Sequence, residues 1–333
     1  MSELKFLIFS DFHYKKKMYP ATVRDLNTVI LAAKDFGASL LIHAGDFSND
    51  YSGSPEIVSA YLDNAADLPV YGCYGNHELE TAGNSMYNVT PLLSNRKESV
   101  IFGTADGKIG DGSIAYYYTD IEKYRFIFLD SNYSYSPEGA LMHNLSASWG
   151  CPTGNTGKNS FGDAQIEWLS SSISDAREKG LSCIVVSHAS CAEGWGGECD
   201  AKRIREIFRE ANNKRERTVI LAINGHYHTS NIATFEGVTY IDCPATINGY
   251  WQSERFDPYR EEDESNPKYI FKFEDYDENG KLIGVSDMPY SKLRMGAQSL
   301  FYDKPAYVRV SISDGGIKAD FSEMNYSYGI TKK

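Results

Sequence analysis

Residues 5–13 read KFLIFSDFH, an apolar run of strand length that stops at a serine and gives way at once to a carboxylate and an imidazole. The same transition recurs along the chain. SLLIHA ends at Gly45 and Asp46, PVYGCY at Gly75, RFIFLD at Asp130, SCIVVS at His188 and TVILAI at Asn224. Runs that are apolar throughout, rather than alternating, mark strands buried on both faces. Between them lie four stretches with helical signals. Ala21 to Phe36 is stopped by Gly37, and Pro55 to Asp67 takes Ser54 as its N-cap. Asp163 to Arg177 and Asp200 to Asn212 each open with an aspartate expected to cap. Alternation of strand and helix predicts an α/β fold with buried central strands.

The chain has 333 residues, above the usual single-domain size, yet no internal repeat or low-complexity linker divides it. We read 1–333 as one domain with a motif core over 1–247. From about 248 to 299 an elaboration near the rim carries the acidic run EEDES (Glu261 to Ser265) and a hairpin, YIFKFEDYDENGKLIGVS, turned at Asn279 and Gly280. C-terminal strands over about 300–325, with a second hairpin around Asp314 to Gly316, are expected to join the same core.

Charge narrows the partners. A formal net charge of −12 and a pI near 5.1 oppose an electrostatic grip on nucleic acid backbones or anionic membranes, so a polymeric nucleic acid is not the expected substrate. No apolar run reaches the roughly 18 to 20 residues of a membrane span. The start, MSELKFLIFSDFH, enters a strand without a basic region or cleavage site, so a cytoplasmic protein with no membrane attachment is expected. The six cysteines form no CxxC pair; Cys191 and Cys199, flanking AEGWGGE, are the one plausible local bridge and are read as reduced thiols.

The reactive side chains stand at the strand ends. Asp11 and His13 lie in SDFH, Asp46 in AGDFSND, Asn76 and His77 in GNHE, His188 in VVSH, and His226 and His228 in NGHYH. Taken singly, each has an ordinary reading: a self-capped turn, a polar strand end, a β-turn, a satisfied core histidine, a pair of loop histidines. Together they place five of the seven histidines in such turns, leaving only His43 and His143. In open α/β folds the crevice outside the carboxyl ends of the strands gathers such groups from distant parts of the chain. Carboxylates, imidazoles and one amide oxygen make a mixed N and O donor set that suits Mn, Fe or Zn better than a structural zinc cage. A carboxylate such as Asp46 could bridge two ions about 3.5 to 4 Å apart, which would lower the pKa of a water between them and clamp a phosphoryl oxygen.

The ordered blocks DFH, GD, GNHE, a single His after an apolar strand, and GHYH resemble the calcineurin-like metallophosphoesterases, whose pattern is D-x-H, G-D, G-N-H-[DE], H, G-H-x-H. The blocks run from Asp11 to His228, and DAQIEWL (Asp163 to Leu169) is similar to the helix many members carry between the third and fourth blocks. The resemblance implies a two-layered β-sandwich core flanked by helices, αββα, with a dinuclear metal site along one edge. It implies two divalent or mixed-valence transition metal ions, Mn, Fe or Zn. Asp11, His13, Asp46 and His228 would hold one, and Asp46, Asn76, His188 and His226 the other. His77 would lie over the phosphoryl group and stabilise or protonate the leaving oxygen, while an activated hydroxide attacks phosphorus in line without a covalent enzyme intermediate. On this reading His226 and His228 are spaced by one so that a single turn serves both ions, and Gly225 lets the backbone approach closely.

Departures from related patterns narrow the group. Where purple acid phosphatases carry a tyrosine ligand the chain has Asn49, and it has His13 where they lack histidine. Many members place an aspartate three residues after the bridging one to orient the catalytic histidine. Here the aspartate falls one later, at Asp50, so either Asn49 or Asp50 is a candidate support for His77. The Ser/Thr phosphatase pattern G-D-x-x-D-R-G is absent. Substrate contacts are sought in the long 133–160 segment, at Tyr133, Tyr135, His143 and Trp149, with Tyr250 and Trp251 as further aromatic candidates and Lys15 to Lys17 as a possible cationic rim. The expected activity is hydrolysis of a small phosphomonoester or phosphodiester. The alternatives are a nuclease or larger-substrate phosphodiesterase, and a non-catalytic scaffold on the same fold. No oligomeric state follows from the sequence.

Overall fold

Each of the six apolar runs forms a strand, and the alternation inside each run explains why both of its faces are apolar. A computed structural model describes residues 3–14, 23–48, 54–79, 94–104, 106, 108–110, 116–135, 141–143, 161–192, 200–246, 248–250, 269–276, 282–289, 299–301, 304–322 and 330–332. In β1 (Leu4–Phe9), Phe6 and Ile8 point one way and Leu7 and Phe9 the other, and all four are fully buried.

Two large sheets carry the architecture. The first joins β1 to β2 (Leu40–Ala44) and β3 (Val70–Cys73) in parallel, and pairs β1 on its other side with the antiparallel hairpin β18 (Val308–Ser313) and β19 (Gly316–Phe321). The expected hairpin around Asp314 thus joins the sheet of the first strand, with Gly316 in the left-handed region at φ 120°. The second sheet has eight strands. It centres on the parallel run β7 (Tyr124–Phe128), β10 (Ser182–Ser187), β11 (Val219–Asn224) and β13 (Val238–Asp242). β4 (Ile101–Gly103), β5 (Ile109–Gly110) and β6 (Tyr117–Ile121) extend one side, and β12 (Asn231–Phe235) closes the other.

Three apolar layers hold four structural ones. Phe6, Ile8, Leu40 and Ile42 from the first sheet meet Phe126, Phe128, Ile184, Val186 and Ile223 from the second. Outside the first sheet, Leu7, Phe9 and Leu41 pack on α1 (Val23–Phe36) and α2 (Ser54–Asn64) through Leu26, Val29, Ile57 and Tyr61. Outside the second, Ile127, Val185 and Ala222 pack on α3 (Asp163–Glu178) and α4 (Ala201–Lys214) through Ile166, Leu169, Ile204 and Phe208. The result is the αββα sandwich the resemblance implied.

Smaller strands lie outside these sheets: β8 (Tyr133–Tyr135) with β9 (Leu141–His143), β14 (Asn248–Tyr250) with β17 (Ser299–Phe301), and β15 (Tyr269–Tyr276) with β16 (Leu282–Pro289) and β20 (Ile330–Lys332). The hairpin expected in 269–286 is the β15–β16 pair; its turn at Asn279 and Gly280 lies outside the described residues, as does Cys199. No helix among the described residues is long and apolar enough to cross a membrane.

The helix ends correct the sequence reading. α2 stops at Asn64 rather than Asp67: Ala66 N–H turns to Asp63 O and Leu68 N–H to Ala65 O, a tighter i→i−3 pattern, and just past the helix Asn95 Nδ2 donates to Ala65 O and Leu68 O and Arg96 to Ala66 O. Asp163 does not cap α3; Gly162 holds the N-cap position, and the Asp163 carboxylate pairs with Arg203 at 2.7 Å. Asp200 does stand at the N-cap of α4, but its side-chain oxygens accept from Phe161 N–H and the Arg203 guanidinium instead of capping the helix's first amides.

Phe6 and Phe126 meet edge to face across the two sheets with centroids 5.6 Å apart. Phe6→Ala is expected to lower the unfolding free energy by about 3–5 kcal/mol, read in urea as a lower midpoint at unchanged slope.

Candidate metal centre

The parallel strands β1, β2 and β3 of one sheet and β11, β10 and β7 of the other all end at the same seam, and the turns that follow them meet there. The sheets are tied at this edge. The His188 ring bonds the Ala44 carbonyl through Nδ1 at 2.8 Å, Asn132 Nδ2 donates to Tyr74 O at 3.2 Å, and Thr246 N–H donates to Ser10 O at 2.8 Å. Glycines permit the contact. A side chain at Gly225 would collide with Ser10 Oγ and Ala44 O, and one at Gly75 with the Asp46 carboxylate. The close approach expected at Gly225 is therefore made.

Two buried aspartates are oriented in the same fashion, with one oxygen anchored and the other presented. Asp11 Oδ2 accepts Ser10 Oγ at 2.5 Å and His226 N–H at 2.9 Å. Its Oδ1, buried and without a hydrogen-bond donor, lies 3.1 Å from His228 Nε2 and 3.7 Å from His13 Nε2, and those two nitrogens are 3.0 Å apart. Asp46 Oδ1 accepts His77 N–H at 2.8 Å. Its Oδ2 lies 3.1 Å from His188 Nε2 and 4.0 Å from the Nε2 atoms of both His13 and His77, and His226 Nδ1 is 3.2 Å from His188 Nε2.

These separations suit cations. Ligand bonds of about 2.0–2.2 Å put neighbouring donor atoms roughly 3–3.5 Å apart. Asp11, His13 and His228 form one metal-sized group, and Asp46, His188 and His226 another. A third, of His13, Asp46 and His77, overlaps the first at His13 and the second at Asp46. Asn76 is buried in the turn between Gly75 and His77. His77 is the most open of the ion-paired rings, with its side chain 25% exposed against 12% for His13 and 2% for His188.

Five of these residues adopt backbone that side chains avoid: φ is 50° at Asp11 and His13, 55° at Asp46, 72° at His226 and 52° at His228. Left-handed non-glycine residues cost about 1–2 kcal/mol each, and such clusters are held only where surrounding bonds over-determine them. Here Asp11 N–H donates to Gly45 O and His13 N–H to Asp46 O, both at 2.9 Å, locking the two turns together.

Electrostatics follow from burial and proximity. Burial opposes charge on the His188 ring, but Asp46 and Asp11 outweigh it and push the imidazole up to about 10. Burial pushes His13 down to about 4, and burial with the His188 charge holds His226 well below its usual range. Both aspartates stay below the carboxylate range; burial works against them, and the facing histidines prevail.

The remaining sequence candidates divide. Tyr133 stands in register opposite His143 in the β8–β9 pair, directly after the Asn132 tie. Asn49, Asp50, Trp149, Trp251 and Lys15 to Lys17 lie outside the described residues. Sequence reasoning assigned nothing to Glu78, whose buried carboxylate accepts four backbone N–H groups of the site turns. The signal was the fourth letter of GNHE, an acidic residue placed where a turn alone needs none.

A family model described as calcineurin-like phosphoesterase matches residues 4–230. Among solved structures, a dimetal phosphatase from Danio rerio is 17% identical, with 73% of this chain and 87% of that chain covered and a TM-score of 0.51. A structure of a 5'-nucleotidase assigned in Staphylococcus aureus is 14% identical, with 86% of this chain and 54% of that chain covered and a TM-score of 0.46. No curated protein matches the chain.

Metal ligands must be deprotonated to bind, so loading that uses His188 as a ligand would take its proton, while the rings of His13 and His226 are already neutral. Addition of Mn²⁺ to metal-free protein at pH 8, between the ordinary imidazole value and the raised one, is expected to release about one proton per chain. Affinity should fall as the pH is lowered. Titration calorimetry in buffers of different ionisation enthalpy measures the release; none would exclude His188 as a ligand.

Proposed function

The chain belongs to the calcineurin-like phosphoesterase family and is a metal-dependent phosphoric ester hydrolase, and within that class we propose that it cleaves a small phosphomonoester or phosphodiester at a centre of two transition-metal ions, Mn, Fe or Zn. Asp11, His13, Asp46 and His228 would hold one ion, and Asp46, Asn76, His188 and His226 the other. The observation that carries this reading is Asp46: its Oδ1 is occupied by His77 N–H, and its Oδ2 is shared by the histidines of both halves. When bound, two such ions supply an activated water and a clamp on a phosphoryl oxygen.

The chain's own groups set the geometry of the step. The carbonyl of Ala44 can only accept, so His188 Nδ1 carries a proton toward it and Nε2 is directed at Asp46 Oδ2. Ser10 Oγ and the His226 N–H hold Asp11 in the same manner. His77 is fixed at its backbone by Asp46 and presents a partly exposed ring beside His13, with centroids 4.9 Å apart. From there it donates a proton, or a hydrogen bond, to the leaving oxygen. Tyr133 and His143, opposed in register next to the site, are the proposed substrate contacts. The net charge of −12 favours a small substrate over a polyanion, whose approach it opposes.

Turnover of an aryl phosphomonoester and the matching diester tests the reading, on metal-stripped protein refilled with Mn²⁺, Fe²⁺ or Zn²⁺. Activity is expected only after refilling, lost in Asp46→Ala. In His77→Gln kcat is expected to fall by about 10²–10⁴ with metal content unchanged. Fully metallated wild type that cleaves neither ester, nor a small natural phosphoester, would overturn hydrolysis and leave a binding protein.

A further inference from the structure

The turn after β2 has a second anion beneath the first. Glu78 is 2% exposed and lies in the turn after β3. Its Oε1 accepts Phe47 N–H at 2.6 Å and Ser48 N–H at 3.2 Å, and its Oε2 accepts Asp46 N–H at 2.9 Å and Gly75 N–H at 2.6 Å. Three successive amides that converge on one anion form a backbone nest, a concavity that binds anions elsewhere as ligands. Here the anion is the chain's own carboxylate, delivered from the neighbouring strand. Convergence requires a left-handed residue in the nest, and Asp46 supplies it at φ 55°.

That conformation fixes the Asp46 side chain as well as its amide. With the 46–48 amides turned onto Glu78, the Asp46 carboxylate is left to His77 N–H through Oδ1 and to the histidines through Oδ2. Gly75 completes the arrangement from both sides, since its N–H holds Glu78 while its α-carbon abuts the Asp46 carboxylate. We propose that Glu78 is a positioning residue that holds the bridging carboxylate Asp46 in its shared orientation by filling the nest of amides from Asp46 to Ser48 and fastening it to Gly75. The proposal rests on the two-ion reading and goes beyond it, assigning to a residue that touches neither ion nor substrate the geometry that lets one oxygen serve both.

Glu78→Gln keeps the volume and replaces one acceptor oxygen by a donor, which faces two N–H groups with no acceptor. Mn²⁺ binding to metal-free wild type and variant, followed by calorimetry and by bound metal per chain, is the primary readout. Wild type is expected to take two ions. In the variant the weaker of the two should bind about 10–100-fold less tightly, and kcat should fall while KM for the aryl ester holds. A folded variant that takes both ions with wild-type affinity, even with a lower melting temperature, overturns the proposal and leaves Glu78 a stability residue. Failure of wild type to take two ions overturns the two-ion reading itself. Should Glu78→Gln not fold, amide hydrogen exchange on metal-free wild type decides. The amides of Asp46, Phe47, Ser48 and Gly75 are expected to be protected as strongly as those of β2, and exchange at exposed-loop rates overturns the proposal.

Discussion

The bond between the His188 ring and the Ala44 carbonyl crosses from one sheet to the other at the point where both run out of strand. It needs the two sheets to converge at one end more closely than side chains allow, and Gly45 and Gly225 make room for it. Everything at the centre depends on that convergence. Asp11 and Asp46 arrive from one sheet and His188, His226 and His228 from the other, so neither sheet alone could assemble the donor set. The sandwich core, where Phe6 and Ile8 meet Phe126 and Ile184, keeps the seam from sliding.

Local cost is concentrated at the seam. Five candidate ligands sit in left-handed backbone, and buried carboxylates lie close to one another, as the repulsion of Glu78 by Asp46 makes plain: burial first, then the Asp46 charge, pushes Glu78 up to about 7. Neither feature would persist in a loop free to relax. What opposes relaxation is the set of backbone bonds between turns, Asp11 to Gly45 and His13 to Asp46, together with the rigid parallel strands that feed them. The chemistry is thereby placed on the least deformable part of the fold.

Much of this was legible in the sequence, for a physical reason. A strand buried on both faces must be apolar throughout, so KFLIF, SCIVVS and TVILAI declare themselves, and a polar group straight after such a run stands at the rim. The helix termini were less legible. Asp163 and Asp200 have the chemistry of caps, but Asp163 is taken by Arg203, forty residues downstream, and Asp200 by the Phe161 N–H, thirty-nine residues upstream, as well as by Arg203 on its own helix; no local pattern records the two distant partners. The carbonyls just past α2 are likewise claimed by Asn95 and Arg96, about thirty residues on. Glu78 and Ser10 were in plain view inside the quoted motifs GNHE and SDFH; their roles depend on which backbone amides and carboxylates turn toward them, and that is decided by φ at Asp46 and Asp11.

The first sheet places its oldest strand beside its last hairpin. β1 pairs along one edge with β2, thirty-odd residues on, but its other edge belongs to β18, some three hundred residues later. During synthesis that edge therefore stays open until some three hundred further residues have emerged, a long exposure for an apolar strand. The second sheet's parallel core, complete by Asp242, can form earlier and shelter the inner face of β1 through the Phe6 contact. The last hairpin then acts as a closing seam in time as well as in space. Chain order thus makes the β1 edge the place where a newly made copy is most open to pairing with a neighbour instead of with itself.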